Sequence, residues 1–225
     1  MNSATRNAHV DRASSTRRTA RIVGVLFLTG FLAYGVGNTI ATSIAGSADP
    51  GGSEALLIAG VALMQVNSVI VIGIGVLMFP ILRPRNKAIA GGYLVTRIFE
   101  GVSLAIGAVC LLVLTGPAAV DANVVAYNVA EVGLGIGSLF FCALLFRSGL
   151  VPRFLAAWGF LGYALFAAGS LLELFGVAGA GLVAAIPGGL FEVTFGIWLI
   201  ARGFGSSATA VRFGPARGRA SSSMA

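Results

Sequence analysis

Six stretches of this chain, residues 22–45, 55–82, 88–115, 124–146, 154–175 and 182–201, are predominantly apolar over 20 residues or more, and no other feature restricts its fold so sharply. A helix rises about 1.5 Å per residue, so about 20 such residues cross the hydrocarbon core of a bilayer. Backbone groups in lipid must find their hydrogen bonds within the segment, which makes each stretch a helix. The separators carry breakers and charges, as in Ser47-Ala48-Asp49-Pro50-Gly51-Gly52, Arg83-Pro84-Arg85-Asn86-Lys87 and Gly116-Pro117. The link Gly176-Val177-Ala178-Gly179-Ala180-Gly181 is uncharged. One helix running through it would far exceed the bilayer thickness, so two spans joined by a short glycine-rich turn are predicted.

Composition agrees. Hydrophobic residues make up 57% of the chain and charged residues 10%, with a mean hydropathy of +0.93. Soluble domains carry about a quarter charged residues. The prediction is an all-α fold, a polytopic transmembrane six-helix bundle over residues 20–204, with basic, disordered tails at 1–19 and 205–225 that are too polar to bury a core.

The formal charge of +7 suggests nucleic acid only until the basic residues are located. Arg6, Arg12, Arg17, Arg18 and Arg21 precede the first span, and Arg83, Arg85 and Lys87 fill the second connection. Arg147 and Arg153 follow the fourth span, while Arg202, Arg212, Arg217 and Arg219 follow the sixth. All fall on one side of a six-span topology; the other side holds Asp49, Glu54 and Asp121 and no basic residue. Cytoplasmic loops retain Lys and Arg, so both termini are expected in the cytoplasm. The tails have no aromatic interleaving and no nucleic-acid motif, so nucleic acid is not expected as a partner. Anionic lipid headgroups are the partner their arginines suit, at about 1 kcal/mol each near the surface. The first apolar run is longer than the roughly 7 to 15 residues of a signal-peptide core, and an uncleaved anchor is expected. Cys110 and Cys142 fall near opposite membrane faces, too far apart for a disulfide.

Charge inside the spans is expensive, about 2.5 to 3.5 kcal/mol for Asp, Lys or Arg at a helix centre. Five such residues occur: Arg97, Glu100, Glu131, Glu173 and Glu192. Glu173 lies two residues from the end of its span and is expected at the headgroups. Arg97 can snorkel. Glu100 nonetheless follows it by one turn, so the two can pair, and Tyr93 shares their face. Glu192 falls in mid-span just after Pro187-Gly188-Gly189, where a kinked helix with free carbonyls is expected, the arrangement in which transporters place sites. Glu131 belongs to a stripe with Asn128, Gly135, Ser138 and Cys142 whose spacing keeps one face, expected inward. Gln65, Asn67 and Ser68 add polarity on the second span. Gly133 and Gly137 form a GxxxG that packing explains. One arginine cannot balance three deep glutamates in a dry interior: either water enters or some of the carboxyls hold protons.

Arg97, Glu100, Glu131, Glu192, Tyr93 and Asn128 are therefore the candidate lining of an intramembrane polar pocket. Transport of an ion or small solute coupled to protons is the leading reading, against a non-transporting protein whose buried charges fix helix packing or bind a partner. Catalysis is disfavoured. The single histidine, His9, is in the tail, and neither G-x-S-x-G nor H-E-x-x-H occurs, so no catalytic residue, metal site or cofactor is expected.

Phe99-Glu100 and Phe191-Glu192 hold equivalent places in two three-span halves, as an inverted repeat would require, but Glu131-Val-Gly-Leu-Gly-Ile and Glu192-Val-Thr-Phe-Gly-Ile pair different spans. Chance likeness among apolar helices accounts for both. Arg17-Arg18-Thr19-Ala20-Arg21-Ile22, the stretch from Tyr93 to Glu100, Val151-Pro152-Arg153-Phe154 through Tyr163, and Phe191-Glu192 through Phe204 together resemble an uncharacterised bacterial family of six-helix membrane proteins known as a domain of unknown function. The resemblance spans residues 17–204. It implies a multi-pass protein of the bacterial plasma membrane, and it brings no substrate, reaction or cofactor.

Overall fold

The computed structural model describes residues 3–47 and 53–205, with the backbone alone over 3–14. Six helices follow one another: α1 Ser3–Ala45, α2 Glu54–Leu82, α3 Lys87–Val113, α4 Pro117–Ser148, α5 Arg153–Leu174 and α6 Ala180–Ala201, with no strand among the described residues. All six are long and apolar enough to cross a membrane. Val69, Val95, Leu32, Phe140, Phe154 and Leu182 are among many large apolar side chains standing exposed on the outer faces, a surface that only lipid covers without penalty. The chain is a multi-pass integral membrane protein.

Two helices start earlier than their apolar runs. α1 extends back to Ser3, through residues expected to be a disordered tail, because no Gly or Pro occurs before Gly24 and Ala and Arg, both strong helix formers, recur throughout. α4 begins at Pro117 in the first helical turn, where proline's missing N–H costs nothing. The expected C-terminal tail lies outside the described residues from 206 onward.

The helix ends follow local chemistry. Asn86 caps α3, its side chain accepting from the Ile89 N–H at 3.0 Å. Between α5 and α6, Gly176 adopts φ +94°; its N–H reaches the Glu173 carbonyl at 2.9 Å and the Val177 N–H reaches the Leu172 carbonyl at 3.0 Å. This is the Schellman ending that only a residue free to take positive φ makes cheaply, and it turns the chain into α6 as the glycine-rich link predicts.

Each helix packs on the next, and α6 returns to α1, so the six form a closed ring. Glycines set the close approaches. A Cβ at Gly37 of α1 would stand 2.6 Å from the Gly60 carbonyl oxygen of α2, and one at Gly24 of α1 would stand 2.5 Å from the Gly196 carbonyl oxygen of α6. Gly133 and Gly137 of α4 seat Phe99 and Thr96 of α3, so the GxxxG is a packing face. Phe99 is thereby half-exposed while Phe191 is fully buried, and the proposed equivalence of the two Phe-Glu pairs does not extend to their packing.

Two apolar clusters fill the ring at different levels. One gathers Val23, Phe27, Met78, Leu82, Tyr93, Phe141, Phe191 and Phe195 around the N-terminal half of the membrane part of α1. The other gathers Ala41, Val61, Met64, Ala108 and Leu111 around its C-terminal end. A polar layer lies between them.

Candidate functional site

α3 places Tyr93, Arg97 and Glu100 at successive turns of one face, and that face points into the ring. Arg97 is buried, with its side chain 1% exposed, and does not snorkel to a headgroup. The reason is the set of partners that its fork finds inside. Its Nε donates to the Tyr93 hydroxyl at 2.9 Å, and its Nη1 donates to both Glu100 oxygens at 3.2 and 2.9 Å. Nη2 reaches Glu192 Oε1 on α6 at 3.4 Å, and the same oxygen accepts from the Tyr163 hydroxyl of α5 at 2.7 Å. The guanidinium also lies 5.2 Å from the centre of the Phe27 ring and 5.3 Å from that of Tyr93, within cation–π range. Tyr93 stacks on Phe141 at 4.3 Å, and Phe141 meets Phe195 edge to face. The charge thus rests on an aromatic floor that excludes water and holds its rotamer.

Above this floor is a cavity of about 160 Å³ to which all six helices contribute. Arg97, Glu100, Glu131 and Glu192 all line it, together with Asn67, Tyr34 and Tyr127. Glu131 differs from the other two carboxylates. It is 5% exposed, and its Oε2 is buried with no hydrogen-bond partner among the described residues. Nearby on the cavity wall, the Tyr34 and Tyr127 rings stack at 5.6 Å with 21° between planes, and Phe166 stands 6.4 Å from Tyr127.

Two of the residues singled out from sequence stand outside this cavity. Tyr93 supports Arg97 from below. Asn128 is buried but turns toward α6, where its Oδ1 would stand 2.5 Å from a Cβ at Gly181, while its Nδ2 donates to the Val124 carbonyl of its own helix at 2.9 Å. The rest of the α4 stripe, Gly135, Ser138 and Cys142, is buried as the spacing predicts. Gln65 bridges to the Ala105 carbonyl of α3 at 3.1 Å, and Ser68 turns back on its own helix.

Pro187 lies inside α6, where its missing N–H leaves the Val183 carbonyl without its helical partner. α6 is continuous from Ala180 to Ala201, and Pro187-Gly188-Gly189 serves close packing: a Cβ at Gly162 of α5 would lie 3.1 Å from the Gly188 Cα and 3.2 Å from the Pro187 carbonyl oxygen. Glu173 has more than an interfacial role. Its two oxygens accept from the Gly179 and Gly181 N–H groups at 3.2 and 2.7 Å, so a carboxylate from α5 caps α6, where the helix dipole favours negative charge.

The residues that sequence reasoning missed are Tyr34, Tyr127 and Tyr163, which join Tyr93. All four in the chain, Tyr34, Tyr93, Tyr127 and Tyr163, border the polar layer. For Tyr34 and Tyr163 the available signal was a mid-span position, since aromatic belts place tyrosine at the interfaces, whereas Tyr127 becomes interior only because α4 begins at Pro117. No group of His, Cys, Asp and Glu among the described residues is disposed to hold a metal ion.

No curated protein and no solved structure matches the chain. The family described as a domain of unknown function, DUF4386, matches residues 22–203, a stretch that includes every residue of the cavity and its floor. With the match covering the six spans from the first apolar residue of α1 to the turn after α6, the chain belongs to the DUF4386 family.

Proposed function

We propose that the protein is a small proton-coupled carrier of the bacterial plasma membrane, with both termini cytoplasmic, and that Glu131 is its exchangeable carboxyl. The observation that supports this most directly is the unequal pairing inside one cavity. Arg97 engages Glu100 and Glu192, while Glu131, which lines the same cavity, has a buried Oε2 without a hydrogen-bond partner among the described residues. A buried carboxyl with no fixed partner can bind either a proton or a cation, and a group able to alternate between the two can couple them. The one-sided distribution of Lys and Arg in the connections supports the orientation.

Arg97 favours a second role beside this one. Tyr93, Glu100 and Glu192 engage all three of its nitrogens and tie α3 to α6, as a packing lock would. The network then holds the ring together while Glu131 does the exchange. The test is proton flux in liposomes containing the full chain and an internal pH-sensitive dye, read while candidate solutes are added outside. Solute-dependent flux that falls about tenfold or more in Glu131→Gln is expected. No flux from the wild type with any solute, or equal flux in the variant, would sink the carrier reading.

A further inference from the structure

We infer that the Glu131 end of the cavity binds a small organic ammonium ion, which reaches it from the bilayer through the seam between α1 and α6. This deepens the carrier reading by naming a ligand class for the same cavity, and it rests on that reading only for the transport that follows binding.

The ligand class follows from what the cavity offers. Arg97 is the one cation in the cavity lining, it already engages Glu100 and Glu192, and three glutamates face it there, so the site disfavours an anion. The unmet group is the carboxyl of Glu131, a residue that is 5% exposed and lines the cavity, with its buried Oε2 unpartnered among the described residues. An acceptor of negative charge calls for a cation with a hydrogen to donate. Hard metal ions require several oxygens converging at one point, and no such group exists among the described residues. The other walls near Glu131 are the faces and edges of Tyr34, Tyr127 and Phe166, with Leu134 and Leu104 beyond. Aromatic walls around a carboxylate suit an ammonium group carrying an apolar substituent. The volume sets the size. About 160 Å³ is far more than a bare ion fills, and a cavity of about 150 Å³ takes a benzene ring.

The route follows from which lining residues are exposed. Only Phe31 and Gly35 are, and both lie on α1. On the α2 side, α1 is sealed by Gly30 against Asn67 and Ile70 and by the Gly37–Gly60 crossing. On the other side it faces Ala185 and Gly189 of α6. There the two helices meet closely at Gly24 and Gly196, but α6 then leans toward α5 and α4, with Gly169 against Ala184 and Gly181 against Asn128. The seam opens along its length, and Phe31 lies across the opening beside Gly189. The aromatic floor blocks the cavity at one level, and the Ala41–Met64–Leu111 cluster covers the other level on the side of α1 to α4. The exposed lining residues, Phe31 and Gly35, mark the way in on the α1–α6 side, among the acyl chains.

Equilibrium binding of benzylammonium to the full-length protein in lipid nanodiscs tests the assignment, with benzyl alcohol as the neutral match in shape. Expected results are saturable binding of benzylammonium, binding of benzyl alcohol weaker by about tenfold or more, and a similar loss of benzylammonium affinity in Glu131→Gln. Thermal unfolding checks that this variant is folded. Equal binding of the two compounds, undiminished binding by E131Q, or no binding to the wild type each overturns the site. For the route, Gly35→Leu fills the opening without a clash, since a Cβ there meets nothing within 4 Å. Its association rate should fall several-fold with melting unchanged; an unaltered rate overturns lateral access. Benzylammonium binding without proton flux upholds the site while the carrier reading fails. Proton-coupled flux of another solute without benzylammonium binding does the reverse.

Discussion

Glu192 and Glu131 line one cavity, but their surroundings differ. Glu192 Oε1 receives a tyrosine hydroxyl at 2.7 Å and a guanidinium nitrogen at 3.4 Å, from two other helices. Glu131 Oε2 receives nothing from the described residues. The first end of the layer is a closed electrostatic unit in which one cation, two carboxylates and two tyrosines leave little unmet demand. The second end keeps a strong acceptor in reserve. Buried polar groups without partners cost free energy, and on the proposed carrier reading binding at Glu131 offsets that cost. Glu173 shows a third solution, in which main-chain N–H groups replace the cation altogether.

The sharpest way to break this contrast is Arg97→Met. If the Arg97 end is the structural lock, the variant strands Glu100 and Glu192 and loses about 3 to 5 kcal/mol, read as early thermal unfolding in detergent. Adding Glu100→Gln and Glu192→Gln to it should restore most of that loss. A single variant that melts like the wild type would end the distinction between the two regions. Tyr163→Phe removes one charge-assisted hydrogen bond at the same end and should cost about 1.5 to 3 kcal/mol in the same assay. Glu173→Ala deprives α6 of its cap, at about 0.5 to 2 kcal/mol, with faster amide exchange confined to the first turn of α6. Glu131→Gln should be the mildest, within about 0.5 kcal/mol of wild type, because no protein partner loses its bond. A large loss there would mean that Glu131 is structural after all.

Much of this was legible in the sequence, and for a simple reason. Span length and apolar continuity report directly on the bilayer, and the Arg97–Glu100 spacing reports on one helix face, so both could be read from local pattern alone. The glycine link at 176–181 was readable as a turn because positive φ is a local property. What could not be read depends on contacts between distant segments. The packing of Gly162 of α5 on the Pro187-Gly188 backbone is one such contact. Asn128 shares a stripe with Glu131, yet Gly181 across the α4–α6 contact turns it away from the cavity. α1 also reaches back to Ser3, through a polar segment that contains no Gly or Pro.

The order of Arg97's partners along the chain bears on how the protein is made. Glu100 is a turn away on the same helix, whereas Glu192 comes on the last helix of the six. When α3 leaves the ribosome its arginine already has a local counter-charge, and the helix can move into lipid as a nearly neutral rod. Glu192 becomes available only after α4 and α5 have been made, and its bond to Arg97 then joins α6 to α3. Truncation within α6 would therefore leave a nascent chain that is inserted but unfastened, the form a membrane quality-control protease should recognise.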